Sequence, residues 1–121
     1  MANFRYLVND VDEAIEFYKK LGFDVRERYG SAFAIIRRDD VELWVSGPDT
    51  FAAKPMPDGS KPKPGGWNRF VLLVEDLAKT VDSLKAKGVH FRSEIVVGAG
   101  GAQILAEDPS GNPIELFEAS N

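Results

Sequence analysis

Few residues in this 121-residue chain can do chemistry unaided. There is one histidine, His90, and no cysteine, so thiolate catalysis, disulfides and thiolate metal sites fall away together. His90 follows Gly88 at the start of a strand, where a solvated or half-buried histidine is the expectation. No Ser–His pairing is apparent. Gly98-Ala99-Gly100-Gly101 has strand patterns on both sides, which makes it a hairpin turn and not a phosphate cradle opening a helix. Two carboxylates remain, Glu42 in Val41-Glu42-Leu43-Trp44 and Glu115 in Ile114-Glu115-Leu116-Phe117. Either could move a proton, and either could equally sit in an ion pair. Around them stand Phe33, Trp44, Trp67 and Phe117, whose flat faces suit planar ligands, tryptophan being the best cation–π surface. They would serve a core as readily.

The elements that must position these groups come from an internal repeat. Val8, Asp10, Val11, Ile15 and Gly22 recur 66 residues later as Val74, Asp76, Leu77, Val81 and Gly88. Each copy reads as a strand end, an aspartate cap, an amphipathic helix and a glycine stop. In the first, Asp10 and Glu13 have capping-box spacing, and Val11, Ala14, Ile15, Tyr18 and Leu21 form the apolar stripe. In the second the stripe is Leu77, Thr80, Val81 and Leu84. Alternation predicts strands over residues 4–9, 23–28, 32–37 and 41–46, then 67–74, 89–97, 102–106 and 113–119. The matched Val-Glu-Leu-Trp and Ile-Glu-Leu-Phe segments lie 73 residues apart, so the second half is expected to have gained about seven residues in its hairpins. Pro48, Pro55, Pro57, Pro62 and Pro64 mark residues 48–66 as a linker. Phe51 and Met56 within it are apolar residues able to close over a pocket. The domain reading is a single unit over 1–121: module one 1–47, linker 48–66, module two 67–121.

Composition narrows the function classes. An apolar share of 44% and a charged share of 28% fit a globular domain. A net charge of −4 argues against nucleic acid, which needs a basic stripe. Met1-Ala2-Asn3-Phe4-Arg5 lacks the basic and apolar regions of a signal peptide, and no apolar run approaches membrane-spanning length. The expectation is a cytoplasmic protein with no membrane partner.

Two βαβββ modules with Asp108-Pro109-Ser110-Gly111-Asn112 before the last strand resemble the glyoxalase/bleomycin-resistance/dioxygenase (vicinal oxygen chelate) superfamily. The resemblance covers essentially the whole chain. It implies an α+β fold whose tandem modules form a curved mixed-sheet cup, closed in a domain-swapped homodimer. Metal enzymes of that family place four ligands, histidines and glutamates, on the first and fourth strands of each module. Carried over, these positions are Asn3, Glu42, Arg69 and Glu115. A guanidinium has no lone pair to offer and a permanent positive charge, so no metal and no cofactor are expected, and with them goes the family's usual catalytic device.

Loss of the metal positions together with an aromatic lining resembles the bleomycin-resistance branch. That implies antibiotic resistance by sequestration, without chemical modification, of a cationic glycopeptide or another planar antibiotic. The implied contacts are Phe33, Trp44, Ser46, Phe51, Met56, Trp67 and Phe117, with Asn3, Glu42, Arg69 and Glu115 on the same faces. Arg69 suits a phenolate, quinone or carboxylate better than a cation. A glyoxalase-like lyase or isomerase, and a small-molecule sensor, stand as alternatives.

Overall fold

The computed structural model describes residues 2–120. Each half begins with a short strand and an aspartate-capped helix. β1 (Phe4–Leu7) leads to Asp10, whose Oδ1 accepts from Glu13 N and starts α1 (Val11–Lys20). β5 (Val71–Leu73) leads to Asp76, whose Oδ1 accepts from Lys79 N and starts α2 (Leu77–Ala86). Gly22 and Gly88 follow with φ of 88° and 85°, the left-handed conformation that ends a helix at least cost in glycine. Both expected stripes are buried, Thr80 only partly, and Phe17 joins the first.

Three strands complete the first half, β2 (Asp24–Tyr29), β3 (Phe33–Arg38) and β4 (Val41–Ser46), giving a sheet ordered β1-β4-β3-β2. The second half has β6 (His90–Phe91), β7 (Val96–Gly98), β8 (Gly101–Glu107) and β9 (Pro113–Ala119), ordered β5-β9-β8-β6 with β7 also on β8. β1 and β5 run parallel to their neighbours and the other pairs are antiparallel, so both sheets are mixed, as expected for this α+β class. One side of each sheet carries the core: Ala34, Ile36, Leu43 and Val45 in the first, Ile104, Ala106, Ile114 and Leu116 in the second. No helix among the described residues is long and apolar enough to cross a membrane.

Three sequence expectations need correction. The strand expected over 67–74 shrinks to Val71–Leu73, because its partner β9 opens with Pro113, which has no N–H to extend the ladder toward Arg69. The strand expected over 89–97 breaks between Phe91 and Val96. There Arg92 turns its guanidinium onto Glu107 Oε2 (2.6 Å), Gly66 O (2.8 Å) and Gly111 O (2.9 Å). The third correction is one of register. Arg5 pairs with Trp44, but its repeat partner Val71 pairs with Glu115. The counterpart of Glu115 is therefore Trp44, and Glu42 corresponds to Pro113. The matched tetrapeptides misled by two residues: the second half gains five, not seven.

The halves are joined by polar contacts. Tyr18 OH, on α1, donates to Asp108 Oδ2 (2.8 Å), and Asn112 Nδ2 donates to both Leu7 O (2.7 Å) and Asp108 Oδ2 (2.9 Å). Ser110 N and Asn112 N donate to Asp108 Oδ1, each at 2.9 Å. Tyr6 OH donates to Pro113 O (2.7 Å), and its ring meets Phe70 at 5.3 Å between centroids. Burial pushes the Tyr6 hydroxyl up to about 12. Desolvation likewise raises the Asp108 carboxyl despite the donors around it.

Removing one of those donors should be felt. Tyr18→Phe is expected to destabilise by about 1–3 kcal/mol, since it leaves a buried carboxylate short of a partner. A raised carboxyl contributes stability fully below the ordinary carboxylate range and loses it as pH rises through the raised value. The loss in Tyr18→Phe should therefore be larger at pH 7 than at pH 4, where more of Asp108 is protonated. Urea unfolding of both proteins at the two pH values measures this, and an equal loss at both would contradict it.

Candidate functional site

The side of each sheet away from the core is the one that can meet a ligand. Strand alternation puts Arg5, Phe33, Ile35, Arg37, Glu42, Trp44 and Ser46 on that face of the first sheet, through the pairs Arg5–Trp44, Ile35–Trp44, Arg37–Glu42 and Phe33–Ser46. Trp44 Nε1 donates to Glu42 Oε2 (3.1 Å), which fixes the indole in its plane. Phe33 stands edge-on to Trp44 at 6.0 Å, and Tyr29 tilts against Phe33 at 5.6 Å. The Arg5 guanidinium lies 5.1 Å from the Trp44 ring centroid and 5.9 Å from that of Phe33. Its Nη1 donates to the buried Ser46 hydroxyl (3.0 Å). Phe51, on a short 3₁₀ turn (Phe51–Ala53) after β4, closes one side. Arg5, Phe33, Trp44, Thr50, Phe51 and Ala52 line a broad, open depression of about 500 Å³.

On the second sheet the corresponding face carries Val71 and Leu73 from β5, Glu115 and Phe117 from β9, and Gln103 and Leu105 from β8. Arg69 lies just before β5. Its Nε (3.0 Å) and Nη2 (2.8 Å) both donate to Glu115 Oε1, and its Nη1 donates to Trp67 O (3.1 Å). Glu115 is only 7% exposed, so its charge is compensated by a guanidinium on a largely apolar face. Phe117 lines a separate cavity of about 220 Å³ with Val96 and Gln103.

The expected site residues thus divide. Phe33, Trp44 and Phe51 meet at one cavity, and Arg69 and Glu115 meet as an ion pair on the other sheet. Ser46 is buried beneath Arg5, and Glu42 serves Trp44. Asn3 is exposed in the segment before β1. Trp67 is 69% exposed and lies under the Arg92 guanidinium at 4.6 Å. Met56 is exposed in a turn where its N–H donates to Ser60 O and its carbonyl accepts from Gly59 N, away from both faces. Arg5 was missed by the sequence reading. Its signal was available, since Asn3 and Arg5 share strand parity. His90 is exposed on β6, with Nε2 3.4 Å from Glu107 Oε1.

Together the two mixed sheets, the paired helices and the faced strands define the glyoxalase class of α+β proteins. The chain belongs to the glyoxalase/bleomycin resistance protein/dioxygenase superfamily, whose family profile matches residues 1–116. That description spans several branches and selects none of them. A probable chloroplastic lactoylglutathione lyase of Arabidopsis thaliana is 30% identical over 128 residues, covering 98% of this chain and 35% of its own length. A putative lactoylglutathione lyase of Brassica oleracea var. gemmifera is 26% identical over 123 residues, covering 93% and 42%. The chain therefore spans about two fifths or less of these curated relatives. Among solved structures, a lactoylglutathione lyase from Agrobacterium tumefaciens superposes with a TM-score of 0.74 at 17% identity, covering 98% of this chain and 92% of that one. A glyoxalase family protein from Enterococcus faecalis gives 0.74 at 22% identity, covering 98% and 96%. These structures establish the fold.

The expectation of a protein without catalysis is overturned by the curated relatives, which are named as enzymes. Loss of the metal positions weighed against catalysis in the sequence, although Glu42 and Glu115 remained there as groups able to move a proton.

The positions carried over for a metal do not fit one. Arg69 places a fixed positive charge there and occupies Glu115 Oε1 with two donors. The first-sheet counterpart of Glu115 is Trp44, an N–H donor without a lone pair to give. Among the described residues, no group of three or more His, Cys, Asp or Glu side chains could hold a metal ion.

Arg69→Met should cost about 1–3 kcal/mol, because it strands a nearly buried carboxylate. The double variant Arg69→Met/Glu115→Leu is expected to recover most of that loss. Chemical denaturation of the two variants tests this, and a neutral single variant would show the pair to be solvated.

Proposed function

We propose that this chain is a glyoxalase-fold lyase or isomerase that moves a proton at a carbon beside a carbonyl group. Glu115 is the proton-transfer residue and Arg69 the group that orients it. The observation that carries this reading is the Arg69–Glu115 pair itself: a carboxylate fixed by two donors to one oxygen, on a ligand-facing sheet. The relatives named lactoylglutathione lyase support the reaction class.

In the proposed step, Glu115 takes the proton from the carbon, and the C–H electron pair passes through the carbon–carbon bond to the carbonyl oxygen. The N–H groups of Arg69 not engaged by Glu115 or Trp67 are available to that developing oxyanion. Guanidinium stabilisation of such charge is electrostatic and gains strength where water is excluded. In an isomerisation the hydroxyl proton on the deprotonated carbon passes to the oxyanion oxygen, a carbonyl forms at that carbon, and Glu115 returns its proton to the former carbonyl carbon. In a lyase reaction the oxyanion re-forms its carbonyl as a leaving group departs with its electron pair from the carbon on the far side of the deprotonated one.

The test is proton exchange. The hemithioacetal of methylglyoxal and glutathione, and a panel of α-hydroxy ketones, would be incubated in D₂O and followed by NMR. Exchange above the uncatalysed rate is expected with at least one compound, slowed about 10²–10⁴-fold in Glu115→Gln and unaffected by a chelator. No exchange with any compound, full activity in Glu115→Gln, or abolition by chelation would each defeat the reading.

The working cup is proposed to close between two copies of the chain, the first sheet of one copy facing the second sheet of the other. Within one chain the two faces line separate cavities, and the second exposes Leu73 (72%) and Val71 at one edge and Val96 across the sheet. Apolar surface grouped in this way marks an interaction face. Light scattering should give a dimer at micromolar concentration, and Leu73→Asp should shift it to monomer. A wild-type monomer would refute the shared cup.

A further inference from the structure

We infer that the first sheet holds a binding site for a planar aromatic carboxylate, anchored by Arg5 and floored by Trp44. The inference rests on the reading that these sheet faces form the ligand site, and it names the class of molecule that enters.

Arg5 is the unusual group here. Arg69 is neutralised by Glu115 and Arg92 by Glu107. No ion pair joins Arg5 to a carboxylate among the described residues. Its one protein hydrogen bond goes to Ser46 Oγ, which leaves most of its five N–H donors open toward the cavity. Two constraints hold it in place. The buried serine fixes one edge of the fork, and the Trp44 and Phe33 rings support its plane. A guanidinium positioned in advance in this way loses little entropy on binding a carboxylate, and the planar fork matches both oxygens at once.

The rest of the cavity specifies the remainder of the ligand. Trp44, Phe33 and Phe51 supply aromatic surface around about 500 Å³, room for a two-ring system. Phe51 is 93% exposed with nothing of this chain against it, so a stacked ring would give it a partner. Glu42 is the nearby carboxylate, and its Oε2 is already engaged by the Trp44 indole. Arg37 adds a second cation to the same face, with its Nε buried and lacking a hydrogen-bond partner among the described residues. A cationic ligand would meet the Arg5 guanidinium in this cavity, contrary to the cationic glycopeptide that the sequence suggested.

The experiment is calorimetric titration with three probes of one shape: 2-naphthoate, the uncharged 2-naphthamide and the cationic 2-naphthamidine. Saturable binding of 2-naphthoate at one per chain is expected, with the amide at least about tenfold weaker and the amidine weaker still. Arg5→Gln should weaken 2-naphthoate about tenfold and leave 2-naphthamide unchanged, while Trp44→Leu should weaken both. Thermal melts of the variants report folding independently. Absence of naphthoate binding, equal binding of the amide or amidine, or an Arg5→Gln protein that binds naphthoate as before would overturn the assignment. Glu115→Gln separates it from the catalytic reading. Retained naphthoate binding without proton exchange in the wild type would remove the enzyme and leave the aromatic-anion site standing.

Discussion

The Asp108 carboxylate is the constraint on which the arrangement of the two halves depends. It accepts from Tyr18 OH, Asn112 Nδ2 and the Ser110 and Asn112 backbone amides. One of these donors comes from α1 and three from its own turn, so a single buried acid shapes the turn and bolts it to the opposite half. Its burial is unfavourable to the charge and pushes the carboxyl above the usual carboxylate range, and four donors offset that cost. The same turn sends Asn112 to Leu7 O at the end of β1 and receives Gly65 N on Asn112 Oδ1. Both sheets are therefore held in one orientation from a point behind their ligand-facing sides. Those sides take little part in joining the halves and can differ in chemistry from one sheet to the other.

That freedom is visible in how differently the two faces are charged. The second sheet carries a compensated pair, Arg69 with Glu115, set among aliphatic side chains. The first carries an uncompensated guanidinium on an aromatic floor. In the reading proposed above, the second face handles a proton and the first holds an anion by its charge and a ring by its surface. Neither resembles a cation site, although both occupy the strands on which the family's metal enzymes are expected to carry their ligands.

Much of the fold was legible because its signals are local. Aspartate caps fixed the starts of both helices, glycine stops placed their ends within two residues, and alternation fixed β4 and β9. The errors arose where a distant partner decides. β5 is short because Pro113, more than forty positions away, cannot donate to it. The strand after α2 breaks because Arg92 finds Glu107, Gly66 and Gly111. At the site, side-chain parity correctly put Trp44 with Glu42 and Phe117 with Glu115. Composition alone could not show that Met56 would turn away into its own loop, or that Arg5 would find a buried serine and two rings.

The two-residue difference in register between the halves also bears on how the molecule can change. A duplicated gene begins with two interchangeable copies, and exchange of segments between them keeps the copies alike. Here Trp44 and Glu115 share a place while Glu42 falls opposite a proline. A segment copied from one half into the other by sequence likeness would therefore arrive out of step by one full pleat repeat. Its side chains would keep their inward or outward sense yet stand against the wrong neighbours. Such copies would be poorly tolerated, so the halves are insulated from each other's substitutions and free to specialise apart.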